Sequence, residues 1–333
     1  MPDTNRQILL MEMPQGPLTP ASFRLAEAPI PSPAEGEVLL KTRYVSLDAA
    51  NRAWMQGVTY RSALEAGQVM AGGSLGEVVE SRAPGFAPGD LVSADIGWQE
   101  WGVAPARALT KLPKLEPITH LLGVFGVTGL TAYFGLLDVG RPKAGETVVV
   151  SAAAGAVGSV AGQIAKIKGC RVVGVAVGAE KCAWLKDELG FDEAIDYKAG
   201  SVRRAMREAC PEGVDVYFDN TGGDIFEAAL FNLKNHGRIV CCGAVSAYDN
   251  VPPPHGPRGV PGLIVTKRLR VEGFVVMDFY AGRDAALAEL QGWVRDGKLK
   301  VVEDIIDGLE NLPDALIGLL AGQNKGKRMV RVA

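Results

Sequence analysis

The residues with the clearest chemical logic are Ser151-Ala152-Ala153-Ala154-Gly155-Ala156-Val157-Gly158. They follow the β-branched run at 147–150 and open a segment of helical length at 156–168. A dinucleotide phosphate loop needs this order of strand, tight turn and helix. Gly155 leaves the backbone bare where a pyrophosphate approaches, and Gly158 lets the helix lie close against the strand. The first N–H groups of the helix and its positive dipole end then face the anion. Ala153 replaces the usual first glycine, giving A-x-G-x-x-G. Alone, the pattern equally fits a helix that merely packs tightly. Strand, loop, helix and next strand in register weigh for a nucleotide.

The next strand bears on which nucleotide. A site for NAD places Asp or Glu on the ribose 2′-hydroxyl about 20 residues beyond the first glycine. Here the strand at 171–177 runs Val175-Ala176-Val177-Gly178, with no acid, and Lys181 stands just beyond. A carboxylate repels a 2′-phosphate and an ammonium attracts it, so the residues favour NADP(H). Against this, Glu180 adds a negative charge, and Lys181 also reads as an exposed lysine of a first helical turn.

Other chemistry finds little support. The first 120 residues hold no cysteine and one histidine, His120. The five cysteines, Cys170, Cys182, Cys210, Cys241 and Cys242, form no C-x-x-C pair. Neither a zinc cluster nor a secreted disulfide framework is expected. No G-x-S-x-G elbow occurs, so the reaction is expected to rest with a cofactor that the protein orients. With 35 Lys+Arg against 38 Asp+Glu, a net charge of −3, the chain lacks the basic excess of a nucleic-acid binder. The longest apolar stretch, 147–165, is interrupted by Gly155, Gly158 and Gly162, and no basic, then apolar leader opens the sequence. No membrane span is expected, and a cytoplasmic location is.

A chain of 333 residues suggests two domains at about 150 residues each. Up to residue 120, short apolar runs at 38–44, 74–80 and 103–106 lie between Pro/Gly-rich breakers and predict an irregular β domain. The apolar run 121–137 predicts a helix. Strands are then predicted at 147–152, 171–177, 194–197, 214–219, 238–245 and 269–276. Helices are predicted at 156–168, 180–189, 201–209, 225–233 and 285–294. That alternation predicts an α/β chain with a doubly wound parallel sheet. A proline-rich loop covers 251–262, and the tail ends in a strand at 328–332. The expected division is a β domain from 1–122 and 303–333 around a dinucleotide domain at 123–302.

Further strings narrow the reading: Gly97-Trp98-Gln99-Glu100, Gly129-Leu130-Thr131-Ala132-Tyr133, Tyr217-Phe218-Asp219-Asn220, Cys242-Gly243-Ala244, Glu272-Gly273-Phe274-Val275-Val276 and Asn324-Lys325-Gly326-Lys327. In these, and in the phosphate loop, the chain resembles the zinc-free medium-chain dehydrogenase/reductases along essentially its whole length. Within them it is similar to the group of leukotriene B4 dehydrogenase/prostaglandin reductase and the 2-alkenal double-bond reductases. The resemblance implies a GroES-like β domain, a Rossmann domain and NADP(H). By position it implies that Gly155, Ala156, Val157 and Gly158 hold the pyrophosphate. Lys181 and Tyr197 would reach the 2′-phosphate, and Asn220 would lie along the cofactor. Cys242, Gly243 and the chain to Tyr248, with Phe274, Val275 and Val276, would line the nicotinamide side, and Asn324 would close over it. Two positions depart from the group. Asp48-Ala49-Ala50-Asn51-Arg52 lacks the tyrosine of Pro-Tyr-Met-Arg, and Thr266 stands where plant members carry a tyrosine.

The expected activity is NADPH-dependent reduction of the C=C bond of an α,β-unsaturated aldehyde or ketone. Hydride goes to the β-carbon, and Tyr248 or water protonates the α-carbon. Tyr248 also reads as a loop tyrosine shielding the cofactor, and that reading is the favoured one. Trp54, Tyr60, Trp98, Met277 and Tyr280 are candidate pocket walls, though such residues often serve as core or interface. The alternatives are a quinone reductase of the same fold and an NADPH-binding sensor without turnover. A homodimer is expected through the edge strand at 269–276, since an apolar edge must be covered or paired.

Overall fold

The first part of the chain makes strands because its β-branched and aromatic residues come in short runs cut by glycine and proline. The computed structural model describes residues 4–57, 59, 61–249 and 256–332. β1 (Thr4–Leu10) and β2 (Phe23–Pro29) form an antiparallel pair. β3 (Glu37–Ser46) is followed by the short helix α1 (Ala50–Ala53), then β4 (Ser74–Ser81), β5 (Leu91–Ala94), β6 (Trp101–Pro105) and β7 (Thr110–Lys111). After residue 302 the chain adds β14 (Glu303–Asp307), α9 (Leu312–Leu320) and β15 (Lys327–Arg331). The sheet runs β14-β15-β3-β4-β5-β7, with β6 also on β3. Val38, Leu40, Val78 and Val92 pack into one core, and Ile8, Leu10, Leu47, Trp98, Leu309 and Leu316 into another.

The second unit grows from α2 (Val127–Phe134) and β8 (Thr147–Ser151). Then follow α3 (Ala156–Ile167), β9 (Arg171–Ala176), α4 (Ala179–Asp187), β10 (Glu193–Asp196), α5 (Val202–Ala209) and β11 (Val214–Asp219). It continues through α6 (Gly223–Asn232), β12 (Leu233–Cys241), α7 (Gly262–Lys267), β13 (Arg270–Gly273) and α8 (Arg283–Arg295). The six strands are parallel and ordered β10-β9-β8-β11-β12-β13. Helices flank the sheet, and its central strands are nearly all apolar because neither face meets water. All five residues of β8 are buried. From β8 the chain lays strands outward on one side, and from β11 on the other. The reversal between them is the switch point, where open α/β sheets bind ligands beyond the strand ends. The sequence predicts both this Rossmann sheet and the β domain.

Several expectations need correction. The apolar run 121–137 is not one helix: the turn Ile118–Leu121 precedes α2, and a wider π-type turn, Gly135–Gly140, follows it. The predicted strand 238–245 begins earlier, at Leu233, and ends at Cys241. The predicted eight-residue strand 269–276 keeps only the four residues of β13. Leu269 instead turns into the core after α7, and Val276 opens a 3₁₀ turn. The chain separates into two compact units that meet at 122/123 and 302/303, and its tail is shared between them. Asn324–Lys327 belongs to the second unit, with Glu303–Gln323 and the residues from Arg328 in the first. Among the described residues no helix is long and apolar enough to cross a membrane.

Candidate functional site

The phosphate loop leaves β8 through Ala152, whose φ of +46° turns the chain sharply. Ala153 donates to the Val175 carbonyl at 3.0 Å, and Gly155 to the Ala152 carbonyl at 2.9 Å, which pins the loop across β9. Helix α3 starts at Ala156 with Gly155 as its cap residue, and no side chain caps it. Its first N–H groups are therefore not taken by a side-chain cap. A Cβ on Gly158 would lie 2.3 Å from the Ala152 carbonyl oxygen, so only glycine lets α3 approach the loop this closely. At Gly155 the same test gives 3.1 Å, from the same oxygen alone.

At the end of β9 the chain passes Ala176, Val177 and Gly178 without a carboxylate and enters α4. The Lys181 ammonium donates to the Asn324 carbonyl. Tyr197 follows β10, its N–H bonded to the Ala176 carbonyl at 3.2 Å and its side chain partly exposed. Asn324–Lys327 lies along this edge. Gly326 donates to the Ala154 carbonyl at 2.8 Å and bridges Gly155 in parallel. A Cβ at Gly326 would sit 2.2 Å from the Val302 carbonyl, and its φ is +69°, so this position needs glycine. Asn324 is buried, and its amide donates to the Gly326 carbonyl at 2.8 Å.

The switch point is tied together by polar groups. The Ser151 hydroxyl, at the end of β8, donates to the Asp219 carboxylate at the end of β11, at 3.1 Å. The Asn220 N–H donates to the Ser151 hydroxyl at 2.8 Å, and the Asn220 amide to the Ser151 carbonyl at 2.7 Å. The buried Asp219 also accepts from the Tyr217 phenol at 2.7 Å and from the N–H groups of Thr221 and Gly222 at 3.0 and 2.9 Å. Burial first, and then Asp219, holds the Tyr217 phenol well above its ordinary range. A carboxylate placed so deep is held by the donors around it.

Cys242 and Gly243 donate their N–H groups to the Asp219 carbonyl at 2.8 and 3.1 Å, which lays the chain after β12 beside Asn220. Burial, reinforced by Asp219, pushes the Cys242 thiol up to about 12, so it stays a neutral thiol at neutral pH. Tyr248 lies half-buried over this turn. Its hydroxyl accepts from the Ala244 N–H at 3.4 Å and would stand 3.7 Å from a Cβ on Gly243.

Other predicted residues lie apart from this cluster. The Phe274 ring is committed to packing, occupying the space a Gly135 Cβ would need and meeting Phe279 edge-on at 6.1 Å. Val275 is half-buried and Val276 buried. Trp98 is not a pocket wall, since it is wholly buried and stacked on Phe23 at 5.5 Å in the core of the β unit. Trp54 lies under the Arg61 guanidinium, and Met277 and Tyr280 are exposed. Tyr60 lies outside the described residues. The Asp48–Arg52 stretch has a local structural part: the Asp48 N–H donates to the Asn51 side chain, which donates to the Ala71 carbonyl.

Sequence reasoning assigned no role to Asp219 or to Lys325. An acid closing the apolar run of β11, just before Thr221-Gly222-Gly223, is the signal for the first. No local signal marks the second. Among the described residues no group of three or more His, Cys, Asp and Glu is placed to hold a metal. The bare loop, the start of α3, the acid-free end of β9 and the Lys181 ammonium suit NADP(H). The first three offer a dinucleotide its pyrophosphate and ribose positions, and the lysine suits the extra phosphate.

The profile described as the N-terminal domain of oxidoreductase matches residues 6–112, and that described as zinc-binding dehydrogenase matches residues 156–291. The NADPH-dependent curcumin reductase of Escherichia coli is 44% identical over 335 residues, covering 99% of this chain and 97% of that one. The NADP(+)-dependent 2-alkenal reductase of Nicotiana tabacum is 40% identical over 304 residues, covering 89% and 88%. The crystal structure of CurA in complex with NADPH from Vibrio vulnificus superposes with a TM-score of 0.93 at 41% identity, covering 98% of this chain and 99% of that one. The chain is thus an NADP(H)-dependent oxidoreductase and belongs to the medium-chain dehydrogenase/reductase family, in its prostaglandin reductase and 2-alkenal reductase group.

Proposed function

We propose that the protein saturates the C=C bond of α,β-unsaturated aldehydes and ketones, with Tyr248 giving the proton to the α-carbon. When bound, NADPH supplies a hydride to the β-carbon. Gly155, Ala156, Val157 and Gly158 hold its pyrophosphate, Lys181 and Tyr197 its 2′-phosphate, and Asn220, Gly243 and Asn324 flank it. Phe274, Val275 and Val276 contribute main chain and packing on the nicotinamide side.

The single observation that carries the proton assignment is the Tyr248 hydroxyl over Gly243, accepting the Ala244 N–H at 3.4 Å. A hydrogen bond accepted by the oxygen favours the phenolate. That is the state Tyr248 reaches when its proton leaves. On the substrate, conjugation carries the developing charge to the carbonyl oxygen, where fixed donors stabilise it. The names of the curcumin and 2-alkenal reductases support an enone acceptor here, and nothing in the site favours a quinone over it.

Deuterium on the transferred position of NADPH tests the reaction. Label at the β-carbon of the saturated product is expected. Label at a carbinol carbon with the alkene intact would refute it. Tyr248→Phe should lower kcat by about 10²–10⁴-fold. A rate near that of the unaltered protein would give Tyr248 the shielding role instead. We propose further that two copies pair through β13, the terminal strand of the parallel sheet, which carries the half-exposed Val271 on its edge.

A further inference from the structure

Two lysines stand at the start of α4. Lys181, on the helix, donates to the Asn324 carbonyl. Lys325 comes next in the returning segment and faces the same first turn. Its ammonium lies 2.7 Å from Glu180 Oε1 and 5.9 Å from the centre of the Trp184 ring, one turn further along α4. Main-chain bonds hold the segment in place. Gly326 is tied to Ala154 of the phosphate loop, and Lys327 donates to the Val302 carbonyl at 2.9 Å. Lys325 is therefore stationed at the end of β9 by the same residues that build the loop.

The end of β9 is where a dinucleotide fold reads the adenosine ribose. Glu180 is out of place there, because its carboxylate repels a 2′-phosphate. Lys325 neutralises it, and that pairing is what depresses the Glu180 carboxyl below its ordinary range. The pair is open to water, with side-chain exposures of 36% for Lys325 and 85% for Glu180. Exposed pairs of this kind are weak and exchange readily.

We propose that Lys325 is a second phosphate-recognition residue, which exchanges the Glu180 carboxylate for the 2′-phosphate of NADP(H). A phosphate monoester carries a charge of about −1.5 to −2 and three acceptor oxygens, so it outcompetes one carboxylate for an ammonium. The Trp184 ring, 5.9 Å from the ammonium, offers it a π face while it changes partners. Glu180 is then a stand-in anion, holding the lysine until cofactor arrives. NADH, with a hydroxyl at this position, gives Lys325 nothing to exchange for. The inference rests on the NADP(H) assignment and adds to it a residue from the far end of the chain.

The test is to titrate the full chain with NADPH and with NADH, following cofactor fluorescence. The variants are Lys325→Met, Lys325→Arg and Glu180→Gln. Lys325→Met should weaken NADPH binding about 10-fold, the scale of a lost charge-assisted hydrogen bond, and leave NADH binding unchanged. Lys325→Arg should retain most of the NADPH affinity. Glu180→Gln should tighten NADPH binding several-fold with no change for NADH. Equal weakening of both cofactors by Lys325→Met would show a disturbed segment and overturn the proposal. Unchanged NADPH affinity in that variant, or weaker NADPH binding in Glu180→Gln, would overturn it too. Failure of the NADP(H) assignment looks different: the unaltered protein would bind both cofactors equally, before any residue is replaced.

Discussion

Replacing Gly158 by alanine tests the phosphate loop at its tightest point. The added Cβ would meet the Ala152 carbonyl oxygen at 2.3 Å, about 1.1 Å short of the 3.4 Å where ordinary contact begins, and Ala152 C and Ala153 Cα at 2.9 Å. All three are backbone atoms, so no side chain can swing aside. Either α3 lifts from the sheet or the loop moves outward, by about 1 Å. Overpacking of this kind costs about 1–3 kcal/mol, which for a unit of this size lowers Tm by about 2–10 °C. A 1 Å displacement of the groups proposed to grip the pyrophosphate should cost about 100-fold in kcat/KM. Gly155→Ala is the contrast, since its Cβ meets only the Ala152 oxygen, at 3.1 Å. It should leave Tm nearly unchanged and still weaken NADPH binding, because the new methyl would stand where the phosphates are proposed to approach. Thermal melts and NADPH titrations of both variants decide the matter. If Gly158→Ala matches the unaltered protein in Tm and in NADPH affinity, the close approach of α3 is not what shapes the site.

Asp219→Asn replaces one accepting oxygen by a donor facing the Gly222 N–H, which lies 3.2 Å from Asp219 Oδ2. It should cost about 1.5–3 kcal/mol in urea denaturation, and an unchanged midpoint would show that Asp219 is not the anchor of the switch point. Burial raises the thiols of Cys210 and Cys241 from 9.0 to about 11 and that of Cys242 to about 12. Unfolded thiols ionise near 9 while native ones keep their protons, so stability is full below pH 9 and is lost as pH rises from about 9 towards 12. Cys242→Ala should show a shallower loss over that window, and identical slopes would contradict the shift. Light scattering should find a dimer at micromolar concentration, and Val271→Lys, with its charge on the β13 edge, should yield monomer; a monomer without any substitution would end the pairing proposal.

The dinucleotide sheet was legible because its cues are local. β-branched runs such as Thr147-Val148-Val149-Val150 and helix-length segments between them alternate at regular spacing, and Gly155 and Gly158 mark where one becomes the other. Apolarity without periodicity misled. The run from Leu121 to Leu137 contains Gly123, Gly126 and Gly129, and a Cβ at Gly129 would fall 1.8 Å from the Val124 carbonyl, so the chain folds tightly there before α2 proceeds. The strand at 269–276 shortens because Arg268 takes a left-handed conformation, φ +52°, that ends α7 and turns Leu269 inward. Site residues within a few positions of the loop could be read from spacing. Ser151 with Asp219, or Glu180 with Lys325, could not, because no periodicity links residues 68 or 145 positions apart.

The bond from Gly326 to Ala154 also sets an order in time. The two residues lie some 170 positions apart, so at about 5–20 residues per second the phosphate loop is made roughly 10–35 s before the segment that completes its edge. The sheet can form in that interval, but Asn324, Lys325 and Gly326, the segment proposed to border the nucleotide, do not yet exist. A chain stopped short of residue 324 would carry the loop and both sheet halves and still lack one side of the proposed cofactor site. On the proposed reading, tight NADPH binding would be confined to chains that reach residue 326, and the cofactor would distinguish them from shorter ones.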